Sequence, residues 1–270
     1  MNESQVRQAY LLEKKLAEKL RNSSREERKI LYNSVYAEYY ENFPQHPFIH
    51  KNNEAIVRSA NNQMQLLKSF LKPTSFFLEI GTGTGCLSFQ VAEHVDTVYM
   101  VDISAKPTQG ASFPQNVELL ISNGVNVPTS MKRVDIVYSN HVMEHLHPDD
   151  ALEQIQDIYQ VLTHGGIYIC RTPHRYLGPH DISKHFDDVA TCFHLKEYTV
   201  GELTELFQLA GFKKIRYVTI LKGIKVPLPL LLIRSAERLF ANYPFVLRKK
   251  LFRNLPLRLL FNNFIIVGTK

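Results

Sequence analysis

The segment Phe77-Leu-Glu-Ile-Gly-Thr-Gly-Thr-Gly85 constrains this chain most: an apolar strand pattern runs straight into three glycines and then into a helical pattern. Glycine tolerates positive φ and lets a backbone approach a ligand closely. The helix that follows offers unpaired N–H groups and the positive end of its dipole. A second strand pattern, Tyr99-Met-Val-Asp102, ends about 20 residues further on, where a strand-tip acid can accept hydrogen bonds from both hydroxyls of a ribose. Either segment alone reads as an ordinary turn; together, at this spacing, they predict a seat for a nucleoside. The glycines follow GxGxG and Cys86 comes next, so the GxGxxG dinucleotide spacing is not met.

Around this loop, strand patterns at Phe76–Ile80, Thr97–Val101, Val117–Ile121, Val134–Ser139, Ile167–Arg171, Lys214–Leu221 and Phe264–Gly268 are interleaved with helical patterns. The helices span Gly85–Glu93, His147–Leu162 (with Gly165–Gly166 as its stop) and a stretch from Thr199 as cap to Ala210. Such alternation predicts an α/β domain with a parallel sheet and helices on both faces. Residues 1–72 read as an N-terminal helical cap: one helix over 3–22, a second capped by Ser24 and broken at Phe43–Pro44, a third over 53–71. Residues 73–270 form the nucleoside-binding domain, interrupted at 222–263 by a helical, basic and apolar insertion long enough to have its own job.

Charge and cysteine usage exclude several classes. Nine bases and one acid lie between Lys222 and Arg258, a local +8 that leaves −2 for the rest of a chain of net +6. The body is therefore not a basic nucleic-acid binder, and attraction to an anionic partner must come from the late segment. Cys86, Cys170 and Cys192 form no CxxC pair, which fits reduced thiols in a cytosolic protein. The N-terminus has no apolar stretch of signal-peptide type, and the longest apolar run, Val226–Ile233, is far short of the ~20 residues that span a bilayer. A cytoplasmic location is expected, free or peripheral at the inner membrane surface. The insertion reads as interfacial helices, as a lid, or as a subdomain packed on the sheet with a solvated basic face.

Leu78–Gly85, Asp102, the segment Val134–Asn140 with His141-Val-Met-Glu-His145, and Gly165-Gly166 before a strand resemble the ordered motifs of class I S-adenosylmethionine (SAM)-dependent methyltransferases. The closest type is the small-molecule group, types 11 and 23, with an "xEHL" stretch after the fourth strand. The resemblance covers about Phe76–Lys270. It implies a Rossmann-like, mostly parallel seven-stranded sheet with an antiparallel last strand, and SAM as cofactor. It places Glu79 and the backbone of Gly81, Thr82 and Gly83 near the methionine moiety, with Gly85 opening the helix. Asp102 would hold the ribose and Ile103 the adenine, with Asn123 and Gly124 at the adenine amino group, where the family often has an acid. Asn140 and His141 would face the sulfonium and the acceptor. Tyr32, Tyr36 or Tyr40 would close over the cofactor, or simply form core.

Methyl transfer from a sulfonium needs alignment above all. An oxygen acceptor also needs a base for its proton. Histidines are dense beyond the fourth and fifth strands: His141, His145, His147, His174, His180 and His185, then His194. Each alone can be a capping or loop residue. His180 and His141 are the foremost candidate bases, with Asp181 or Asp187 to orient a ring. His141, Glu144 and His145 have helix-face spacing for a metal, but no third cluster aligns with them, and no metal is expected. The expected activity is SAM-dependent methylation of a small, sugar- or lipid-linked acceptor, at oxygen. The alternatives are an RNA methyltransferase, though the Asn/Asp-Pro-Pro-Tyr motif is missing, and a non-catalytic SAM-binding protein.

Overall fold

In the computed structural model, residues 2–43, 53–128, 134–221, 224–254 and 257–270 are described. Pro44, at the expected break of the second helix, and Lys222, at the start of the insertion, lie outside them.

One sheet organises the chain. Its strands are β1 (Phe76–Ile80), β2 (Thr97–Asp102), β3 (Val117–Ile121), β4 (Val134–Asn140), β5 (Leu162–Thr172), β6 (Lys214–Leu221), β7 (Ile224–Leu228) and β8 (Phe264–Thr269), in the order β3-β2-β1-β4-β5-β8-β6-β7. The first five pair in parallel. β8 is antiparallel to both β5 and β6. β1 is central, and Phe77, Leu78, Glu79 and Ile80 are all buried, as befits a strand covered on both faces. The sequence predicts seven strands; the described residues form eight. The start of the insertion is not helical: β7 adds an edge strand, pairing Pro227 with Val218. Proline lacks a ladder N–H and is tolerated where a strand has only one neighbour.

The helices are α1 (Glu3–Arg21), α2 (Arg25–Asn42), α3 (Asn53–Leu67), α4 (Cys86–Ala92), α5 (Pro148–Val161), α6 (Val200–Leu209), α7 (Leu230–Ala241), α8 (Phe245–Arg253) and α9 (Leu257–Phe261). Ser24 and Thr199 cap α2 and α6 in reciprocal boxes with Glu27 and Glu202. α5 stops before the glycine pair foreseen as its end: Leu162 turns extended and buried, and Gly165 and Gly166 lie inside β5.

The three N-terminal helices divide between two places. α3 joins the core of one sheet face, Leu66 and Leu67 packing with Phe77, Leu87 and Val91. α2 is clamped to α5. Arg28 Nε and Nη2 donate to the two oxygens of the buried Asp150 at 2.6 and 2.7 Å, and Tyr32 Oη donates to Asp150 Oδ2 at 2.9 Å. α1 reaches the loop after β5, where Arg21 donates to the carbonyls of Thr191 and Cys192. These ties hold α1 and α2 over the carboxyl ends of the strands, where open α/β sheets bind ligands.

Candidate functional site

The glycine loop sits at the carboxyl end of β1. Gly81, Gly83 and Gly85 all have positive φ, of 74°, 52° and 74°. A Cβ on Gly81 would lie 2.5 Å from Val142 Cγ2, and one on Gly85 2.8 Å from Met100 Cε, while one on Gly83 would meet nothing within 4 Å. Gly81 is thus required by packing as well as by its φ, Gly85 by its φ against the ends of Met100 and Phe89, and the middle glycine borders open space.

Asp102, at the tip of β2, accepts the Gly83 amide on Oδ2 at 3.0 Å and the Ser104 amide on Oδ1 at 3.2 Å. Burial raises its carboxyl against these hydrogen bonds. Thr82 Oγ1 and Asn140 Oδ1 are buried without a hydrogen-bond partner. Two unsatisfied polar atoms, a carboxylate and a free space over Gly83 suit a nucleoside ligand with ribose hydroxyls and a polar tail, because buried polar groups in native proteins are normally satisfied.

Glu79 lies deeper. It is buried, accepts Ser88 Oγ on Oε2 at 2.5 Å, and is pushed up to about 8 by burial, with the charge of Asp102 adding to the shift. Beside the loop, Gly124 packs so closely on Tyr32 and Ile103 that a Cβ would come within 3.0 and 3.1 Å of them. Asn33 Nδ2 donates to the Ile103 carbonyl at 2.5 Å. α2 therefore touches the segment expected to hold the base. Asn123 is engaged in its own turn: Oδ1 accepts the amides of Val125 and Asn126, and Nδ2 donates to Asn126 Oδ1.

The histidines divide sharply. His141 follows β4 in the left-handed region, φ 58°, an uncommon conformation for a residue with a side chain. Its neighbour Val142 is the residue on Gly81, so the histidine segment abuts the glycine loop. His141 Nδ1 lies 2.8 Å from Oε1 of the buried Glu144, whose Oε2 accepts Thr172 Oγ1 at 2.9 Å. Burial alone would raise Glu144, but His141, then His145 and His194, bring it to about 2.

His145 Nδ1 lies 3.1 Å from the Phe193 carbonyl and 3.0 Å from Tyr36 Oη. Burial, with the charge of His194, lowers it to about 4. His194 Nδ1 is 2.8 Å from Glu197 Oε1, and the His145 and His194 rings meet edge-on, centroids 4.9 Å apart. Burial opposes the charge on His194, yet Glu197 and Glu144 raise it. His180 Nδ1 stands 3.2 Å from Glu197 Oε1, at ion-pair distance but without hydrogen-bond alignment. Glu197 itself is held at about 2: burial raises it, and His180 and His194 outweigh that.

Asp181 is not the partner of His180. Its Oδ1 caps the turn at Ser183, and its Oδ2 accepts the amides of Cys192 and His194. The carboxylate beside His180 is Glu197. An aspartate next in sequence to a histidine in a turn satisfies local backbone first. His147 caps α5. His174 is fully buried: Nδ1 accepts the Tyr176 amide, and Nε2 meets Glu237 Oε1 at 2.5 Å. The sequence signal for Glu197 was its i, i+3 spacing from His194. The meeting of His194 with His145 had none, because 48 residues separate Phe193 from the His145 it contacts.

The Methyltransferase domain family matches residues 52–217. A Mycolicibacterium smegmatis protein bearing the name of an S-adenosylmethionine-dependent methyltransferase is 30% identical over 138 residues, 50% of this chain and 51% of that protein. The match thus spans about half the length of that relative. A SAM-dependent methyltransferase of Archaeoglobus fulgidus superposes with a TM-score of 0.55 at 18% identity, covering 84% of this chain and 99% of that one. An S-adenosylmethionine-dependent methyltransferase of Mesorhizobium loti gives 0.52 at 14% identity, covering 77% and 98%. At these identities the structural likeness concerns the fold.

Proposed function

This chain belongs to the SAM-dependent methyltransferases, and on that premise we propose that it methylates a hydroxyl oxygen of a small acceptor carried on a sugar or a lipid. The observation that carries the reading is the His141–Glu144 pair beside the glycine loop. Glu144 is ionised and only accepts, so His141 Nδ1 carries the proton and Nε2 keeps the lone pair.

SAM, when bound, supplies a methyl group already activated as a sulfonium. The residues that would hold it are Gly81, Thr82, Gly83 and Asp102, with Asn140 at the end of β4. The protein's part is then to seat the acceptor, exclude water and remove a proton. His141, with 39% of its side chain exposed, presents Nε2 to the acceptor hydroxyl and takes its proton as the oxygen attacks; Glu144 stabilises the imidazolium that forms. His180, with Glu197 at 3.2 Å from its Nδ1, is the second candidate base.

A carrier-linked acceptor is supported by the insertion. Leu231, Leu232, Leu239, Val246 and Leu259 are at least half exposed, and the exposed cations Arg238, Lys250, Arg253 and Arg258 lie among them. Apolar side chains mixed with cations suit an anionic lipid surface. No helix among the described residues is long and apolar enough to cross a membrane.

The test is formation of S-adenosylhomocysteine with panels of hydroxylated, aminated and RNA acceptors. Turnover on hydroxyl acceptors, lowered about 10²–10⁴-fold in His141→Ala with SAM affinity kept, is the expected result. Turnover on amines or RNA alone, or unchanged turnover in the variant, overturns it.

A further inference from the structure

We propose that Glu144, His145 and His194 bind one divalent transition-metal ion at the acceptor side of the site. Ligand-capable atoms of these three side chains all lie within 4.8 Å of one another. An ion bonded at about 2.0–2.2 Å to each would draw them to within roughly 4 Å, a small closure.

The hydrogen bonds already select the right tautomers. His145 Nδ1 faces the Phe193 carbonyl, which can only accept, and the Tyr36 hydroxyl, which can take either role; both contacts are met when Nδ1 carries the proton and Nε2 the lone pair. His194 Nδ1 faces the Glu197 carboxylate, with the same consequence. Neither Nε2 has a hydrogen-bond partner among the described residues. A histidine held through one nitrogen by a carboxylate or a backbone carbonyl, with the other nitrogen free, is the usual outer-sphere arrangement of a metal-binding histidine. Glu144 is fixed likewise by His141 and Thr172, and each of its oxygens retains a second lone pair.

Two imidazoles and one carboxylate favour a borderline ion such as Zn²⁺, Mn²⁺ or Fe²⁺ over Mg²⁺ or Ca²⁺, which prefer oxygen. Three protein ligands leave a coordination position open. Resting on the oxygen-methylation reading, the ion's role is to bind the acceptor hydroxyl as a Lewis acid, lowering its pKa while His141 takes the proton. No bond to the ion changes in number during transfer: the acceptor O–H is lost to His141 and the O–CH₃ bond replaces S–CH₃.

The experiment uses tag-free full-length protein, stripped with a chelator and titrated with Co²⁺ while its visible d–d absorption is followed. Saturation at one equivalent is expected. Glu197→Gln should weaken binding by about tenfold or more and His194→Ala further, with His164→Ala, at an exposed histidine on β5, behaving as the parent. Absence of saturable Co²⁺ absorption in the parent overturns the proposal, whatever the variants do. So does parent-like binding in His194→Ala. Binding at one equivalent without methylation of any hydroxyl acceptor would sink oxygen methylation and keep the ion; methylation with no Co²⁺ uptake would do the reverse.

Discussion

Asp102 Oδ2 accepts the backbone amide of Gly83 at 3.0 Å, so the acid expected to hold the ribose also holds the loop expected to cradle the cofactor. Asp102→Ala should therefore do two kinds of damage. The amides of Gly83 and Ser104 lose their acceptor, at about 1–3 kcal/mol for each group left unsatisfied, and the nucleoside loses its hydroxyl partner. SAM affinity by calorimetry should fall at least tenfold, and thermal melting should drop in the free protein too. A variant with parent-like affinity removes Asp102 from the site.

Gly83 and Gly85 separate binding from packing. Gly83→Ala meets no atom within 4 Å and carries only the strain of φ 52°, about 1–2 kcal/mol. It should melt only a few degrees below the parent and yet bind SAM poorly, because its methyl fills the open space. Gly85→Ala carries the same kind of strain at φ 74° and must also displace the ends of Met100 and Phe89, so it should lose more stability than Gly83→Ala. Equal stability losses in the two would show that the space over Gly83 is not a ligand site.

Glu79 makes stability fall with pH. Burial moves its carboxyl from an ordinary 4.5 to about 8, so the fold favours the protonated form. The stability it contributes is complete below about 4.5 and is lost as pH rises through 8; with each unit worth about 1.4 kcal/mol, the whole effect is on the order of a few kcal/mol. Glu13, raised by burial to about 7, acts in the same direction. Urea midpoints of Glu79→Gln at about pH 5 and about pH 9 should differ less than those of the parent; an identical pH profile would contradict this.

Glu237 ties the insertion to the body. It accepts the Val200 and Gly201 amides at the start of α6, at 2.6 and 2.8 Å, and meets the buried His174. Glu237→Ala leaves these groups unsatisfied inside the protein, at about 3–5 kcal/mol. A large fall in melting temperature and faster proteolysis within α7 and α8 are expected. An unchanged melt would mean that the insertion docks without it.

The exposed face of the insertion gives the opposite phenotype. Leu231→Ser with Leu239→Ser, at side chains 74% and 67% exposed, should leave the melt unchanged and abolish co-flotation with anionic vesicles. Arg253→Glu with Arg258→Glu should weaken flotation steeply, at about 1 kcal/mol for each cation lost. No flotation of the parent at low salt would remove the lipid surface from the proposed function.

The sequence by itself determined the scaffold and the glycine loop with its strand-tip acid. Strand β1, its three glycines and Asp102 are close neighbours along the chain, and their chemistry is fixed by backbone constraints: positive φ, a helix N-terminus and a strand tip. The caps at Ser24 and Thr199 are equally local. Only the tertiary structure decided which acid faces which histidine and how the insertion is anchored. Asp181, adjacent to His180, turned to backbone amides, while Glu197 faces both His180 and His194. His194 reached His145 only because the loop after β5 folds back across the sheet. Glu237, one acid in a run of bases, became a buried anchor, and Pro227 closed the sheet as an edge strand. Side-chain pairings across the fold are set by burial and by the competition among nearby hydrogen-bond donors and acceptors, and a linear pattern records neither.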